Sequence, residues 1–124
     1  YGVRTLPKDA RVIVHGQVLA GMKPSAVPVK GRKNEPMMPL VWIRSFKTET
    51  GKTARVLATT MGASTDLQSA GLRRLLVNGC FWGLKMEKKI SAKSDVTYVG
   101  AYKPTRFGFG SYVKGLKPSD HALE

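Results

Sequence analysis

The chain has few of the residues that most catalytic chemistry needs. Its 124 residues include one cysteine, Cys80, and two histidines, His15 and His121. A single cysteine excludes an internal disulfide and any cysteine-rich metal site. Two histidines far apart, among scattered carboxylates, give no ligand spacing for a metal. Acidic residues are scarce, eight against 21 Lys and Arg, for a net charge of +13. They show no spacing that suggests a paired acid and base. The Gly-x-Ser-x-Gly nucleophile elbow, the Gly-x-Gly-x-x-Gly fingerprint and the full Gly-x-x-x-x-Gly-Lys-Ser/Thr phosphate loop are all missing, and no Gly-Lys-Ser/Thr follows the turn at residues 59–65. No apolar run reaches the ~18 residues of a membrane helix. There is no signal-peptide pattern and no internal repeat. The expectation is a chain without membrane insertion, cofactor or metal, and with no assigned catalytic residue.

What is present reads as globular: 42% hydrophobic and 23% charged residues, in a length that suits one domain. That domain is expected over residues 1–100, followed by an extended or partly disordered tail over 101–124. The chain begins at Tyr1 without Met and ends in Leu123-Glu124, which looks like a vector scar. It is expected to be a piece of a longer protein. Its pI near 10.3 favours polyanionic partners. The basic residues are scattered, however, and the tightest groups are Lys30-Gly31-Arg32-Lys33, Arg73-Arg74 and Lys85 to Lys89. A solvated basic surface and a nucleic-acid partner both remain open.

Along the chain, Arg11 to His15 is a β-branched run ended by Gly16, and reads as a strand. Residues 21–39 hold four prolines and no period, and read as a long loop. Leu40 to Phe46 and Thr53 to Thr60 flank a polar turn with Gly51, the pattern of an antiparallel hairpin over about 40–60. A helix is expected over about 66–85, with Thr65 and Gln68 as a capping box and Asp66 at the positive end of its dipole. Leu72, Leu75, Leu76, Gly79, Cys80 and Gly83 would form one buried face, with Cys80 a small buried hydrophobe. Val77, Phe81 and Leu84 make a second apolar stripe, and Arg73, Arg74 and Asn78 a narrow polar edge. Residues 95–100 could form a short strand.

Two places invite a ligand. "TTMGASTD", residues 59–66, joins the last hairpin strand to the helix. Such a turn can hold an anion on backbone N–H groups, and a well-capped helix start looks the same. His15 ends a strand, where functional side chains often project, though a hydrogen-bonded structural histidine is the favoured reading. In the tail, "FGFGSYVKG" mixes aromatics with Lys103, Arg106, Lys114 and Lys117, as base-stacking platforms do. An anchored tail fits the same residues.

The run "PMMPLVWIRSFKTETGKTARVLATTMGASTDLQSAGLRRLLVNGCFWGLKMEKKI", residues 36–90, resembles the C-terminal half of trehalose-utilisation (ThuA-like) domains. The matching motifs are Pro39 to Trp42, Gly51 to Val56, Thr59 to Gly62, Leu72 to Leu76, and Trp82. The tail is similar to the end of one subgroup. The resemblance implies a partial Rossmann-like layer of the class I glutamine amidotransferase kind: α/β, a small mixed sheet with the hairpin, and one long helix packed on it. It also implies a link to carbohydrate metabolism. Many members carry His directly after the turn glycine, where this chain has Ala63, and the family's early strands would lie upstream of Tyr1. The implied role is a non-catalytic segment that joins the remainder of its parent chain and forms one wall of a cleft for a sugar or small carboxylate. Thr59, Thr60, Gly62, Ser64, Thr65 and Asp66 would line it. Trp42 would be a stacking platform or core, Arg44 a charge, and His15 a neighbour. A basic nucleic-acid-binding module and a purely structural segment are the alternatives.

Overall fold

The structure, a computed structural model, describes residue 3 and residues 5–122. Tyr1, Leu123 and Glu124, which carried the expectation of an excised and tagged piece, lie outside them. Three strands form one sheet in the order β1-β2-β3: β1 Arg11–Gly16, β2 Met38–Lys47 and β3 Thr53–Thr59. Both pairings are antiparallel. The hairpin lies where the turn residues put it, with Val41 opposite Thr59 and Lys47 opposite Thr53. Its turn closes through Gly51 N–H donating to the Thr48 carbonyl at 2.9 Å, with Gly51 at φ +75°. That left-handed conformation is cheap only for glycine. The described strands are thus all antiparallel, where a mixed sheet was expected.

Strand β1 joins through two register shifts, between Val12 and Val14 and between Val14 and His15. Bulges of this kind blunt an edge strand. The long loop folds back on itself through backbone bonds, Ala20 N–H to the Val27 carbonyl and Val29 N–H to the Val18 carbonyl at 2.9 Å each, and through one side chain. Asn34 Oδ1 accepts from Val18 N–H at 2.7 Å, and its Nδ2 donates to the carbonyls of Val18 at 2.9 Å and Val29 at 2.6 Å.

The helix is shorter than expected. Helix α1 spans Ala70–Gly83, and residues 64–68 form a separate 3₁₀ turn. The Thr65–Gln68 capping box does not form. Ser69 is the true N-cap, its hydroxyl accepting from Leu72 N–H at 3.3 Å. Asp66 reaches back instead, its carboxylate accepting from Gly62 N–H at 3.1 Å and Ala63 N–H at 3.0 Å. It plays the acidic half of a capping box two residues earlier, and Ala63 has no oxygen for the other half. At the far end Lys85 N–H donates to the Trp82 carbonyl and Met86 N–H to the Phe81 carbonyl, with Lys85 at φ 60°. These two bonds are a Schellman motif, with a lysine where glycine is preferred.

Helix α1 packs on β3. Gly79 sits against Leu57, where an added Cβ would lie 2.6 Å from Leu57 Cδ1. Leu75, Gly79 and Trp82 line the sheet side. Cys80 is therefore turned outward and exposed, contrary to expectation. One residue beyond Gly79 means a rotation of ~100° around the helix axis. The second stripe also ends in solvent, with Leu84 70% exposed.

The Arg73–Arg74–Asn78 edge holds the following segment. Arg73 donates to the carbonyls of Val96 and Leu67 at 2.7 Å each, and Asn78 Nδ2 donates to the Ser91 carbonyl at 2.9 Å. Residues 95–100 are not a strand; there Asp95 accepts from the backbone and hydroxyl of Thr97. Among the described residues only Val41 and Leu72 are buried hydrophobics, and no helix is long and apolar enough to cross a membrane.

Candidate functional site

The end of β3, the start of β2 and the end of β1 meet at one edge of the sheet. Thr60 N–H donates to the Leu40 carbonyl at 3.0 Å, and His15 pairs opposite Pro39. The turn over 59–66 leaves from this edge. Its polar groups are mostly engaged internally. Thr59 Oγ1 accepts from Met61 N–H at 3.1 Å, and Asp66 takes the amides of Gly62 and Ala63. Ser64 Oγ donates to the Thr105 carbonyl at 2.8 Å. The hydroxyls of Thr60 and Thr65 are uncommitted among the described residues.

The C-terminal segment seals this turn, and sequence reasoning missed that. Tyr102 OH donates to the Ser64 carbonyl, and Tyr98 OH to the Leu67 carbonyl at 2.9 Å. The two tyrosines stack with centroids 4.9 Å apart, and the Arg73 guanidinium lies 4.1 Å over the Tyr98 ring. A cation on an aromatic face, with carbonyl partners for its N–H groups, is an anchor. The tail then bends back as residues 105–112, leaving a recess of about 510 Å³ between itself and residues 63–65. That is the size of a small-molecule site. The "FGFG" aromatics were the only signal for it.

The remaining candidates lie elsewhere. Ile43 and Leu57 face α1, so by strand alternation Trp42 and Arg44 point to the opposite face. Arg44 is committed to Asp9 at 2.8 Å and lies 5.4 Å over the Phe46 ring. Its hydrogen bond to Asp9 holds that carboxyl below the usual carboxylate range. Arg44 and the turn thus belong to separate surfaces. His15 is exposed on the edge strand. Among the described residues no group of three or more His, Cys, Asp or Glu is placed to hold a metal.

The chain matched nothing in comparisons with protein-family models, curated proteins and solved structures.

Proposed function

We propose that this chain is a non-catalytic module that completes a larger α/β domain and supplies one wall of a sugar or small-carboxylate site. The observation that carries the reading is its unclosed surface. The accessible area is 10684 Å² for 13.6 kDa, against about 6,600 Å² for a folded monomer of that mass. Two apolar sheet surfaces account for part of the excess. On the side away from α1, Phe46 is 37% and Val56 40% exposed beside Trp42. On the helix side, α1 covers β3 and leaves an apolar groove of about 310 Å³ over Ile13 and Ile43. An apolar sheet face is buried by packing another layer against it. The resemblance to trehalose-utilisation domains, with their Rossmann-like layer, supplies the cover as the remainder of the parent chain, and carbohydrate as the ligand class.

In this reading Thr60 and Thr65 donate to the ligand, and Asp66 shapes the turn without contacting it. With Ala63 after the turn glycine, the turn's one titratable side chain is Asp66, already committed to the amides of Gly62 and Ala63, which fits binding better than proton transfer. The test is a chemical-shift titration of the backbone amides with disaccharides and small carboxylates at millimolar concentration. Shifts should concentrate in residues 59–66. A spectrum that stays unchanged would remove the binding claim.

A nucleic-acid reading has the +13 charge in its favour. Two clustered arginines are engaged, however: Arg73 holds carbonyls and Arg74 Nε donates to the Ser94 carbonyl. Steep loss of DNA or RNA affinity with salt would revive it.

A further inference from the structure

We propose that the recess between the β3–α1 turn and the tail binds a sugar that carries a carboxylate, a hexuronate, with Arg106 as the anion's partner and the tail aromatics as its walls. The proposal rests on the reading of this edge as a sugar site and names the ligand and the missing wall.

Shape is the first argument. Phe107 and Phe109 meet edge to face, with centroids 5.0 Å apart and planes at 79°. They make a corner with one ring on each side. Both are largely bare, at 83% and 96% exposed, and Tyr112 joins them in the lining. Bare aromatics beside hydroxyls are poor surface for a free protein, and suit a ligand with one apolar face and several hydroxyls. The corner depends on backbone geometry. Gly110 is at φ +72°, and Ser111 N–H donates to the Gly108 carbonyl at 3.2 Å. A Cβ on Gly108 would lie 2.7 Å from Ser111 Oγ. The alternation of Phe and Gly is what this turn needs.

Charge is the second. Arg106 is the sole ionised side chain in the lining, and it makes no ion pair among the described residues. A planar guanidinium suits a carboxylate, which it can take with two parallel hydrogen bonds. With no acidic residue in the lining and a net charge of +13, a neutral sugar would leave that arginine unused. A nucleic-acid strand would need a run of cations along its backbone, and the recess offers one. Ser64 and Thr65 bring hydroxyls to the opposite wall.

The experiment is an amide chemical-shift titration of the whole chain with glucuronate, glucose and acetate. Glucuronate should move residues 63–65 and 105–112 together, and bind about tenfold more tightly than glucose. Acetate, which has the charge without the ring, should move neither. Arg106→Gln should abolish the preference for glucuronate, and Phe109→Ala should weaken both sugars. Both side chains are exposed, so dispersed spectra will confirm that the variants fold. Equal binding of glucuronate and glucose overturns the proposal. So do sugar shifts confined to residues 59–62, which would leave the turn as a sugar edge without the tail. Silence of both segments toward every ligand removes this inference and the sugar site together.

Discussion

At the scale of single residues, cations hold this molecule together more than they advertise a partner. Arg55 on β3 donates to the Trp82 carbonyl at 2.6 Å, pairs with Glu87, and lies 5.2 Å over the Trp82 ring. It puts a positive charge where the α1 dipole is negative and adds a second donor to the carbonyl that Lys85 N–H already serves. Replacing Arg55 with Gln should destabilise the fold by about 1–2 kcal/mol, mostly through the charged bond to that carbonyl, as thermal or urea melting would read. The pair also sets a pH dependence. The hydrogen bond from Arg55 holds Glu87 below its ordinary range, as that from Arg44 does Asp9, and the bonds from Thr97 do Asp95. A depressed carboxyl contributes stability above its unfolded value, and loses it as pH falls through the lower folded value. Urea midpoints should therefore be flat above pH ~5 and fall between about pH 4 and 2. Arg55→Gln should flatten part of that fall. Lys85 shows the opposite economy. Its left-handed backbone costs about 1 kcal/mol that glycine would not incur, so Lys85→Gly should raise the melting temperature.

At the scale of elements, the fold rests on one close contact, Gly79 of α1 against Leu57 of β3. Two effects compete when Gly79 is replaced. Alanine gains up to about 1 kcal/mol of helix propensity, and its methyl meets the movable end of Leu57. Gly79→Ala should stay close to neutral. Valine adds branches that Leu57 cannot avoid, with a cost of about 1–3 kcal/mol, so Gly79→Val should clearly lower the urea midpoint. Tolerance of valine would mean that α1 does not sit on β3 as described.

The hairpin and the helix were both legible in the sequence, because each rests on local chemistry: alternation and Gly51 for one, a periodic apolar face for the other. The helix start was not. Thr65, Asp66 and Ser69 all offer capping oxygens within one short stretch, and the choice of Ser69 follows from the 3₁₀ turn that uses Asp66 in reverse. The exposure of Cys80 was hidden too, since the helix faces could be ranked only once Gly79 was seen against Leu57. Of the candidate site, the turn was visible and its second wall was not. The bonds from Ser64 to Thr105 and from Tyr102 to Ser64 span 41 and 38 residues, and no local pattern encodes such pairings.

At the scale of the whole molecule, the sheet is the part that lacks cover. Val41 and Leu72 alone are buried hydrophobics among the described residues, a small core for a chain of this length. The claim that the far face of the sheet awaits a partner layer can be tested by one measurement, the fluorescence of anilinonaphthalene sulfonate with the isolated chain and with Val56→Lys. The dye lights up on exposed apolar surface. It is an anion, so an added lysine would by charge alone strengthen its binding. The account predicts bright dye with the native chain and a clear drop in that signal in Val56→Lys, against the electrostatic trend. A native chain that leaves the dye dark, or a signal untouched by the substitution, would contradict it.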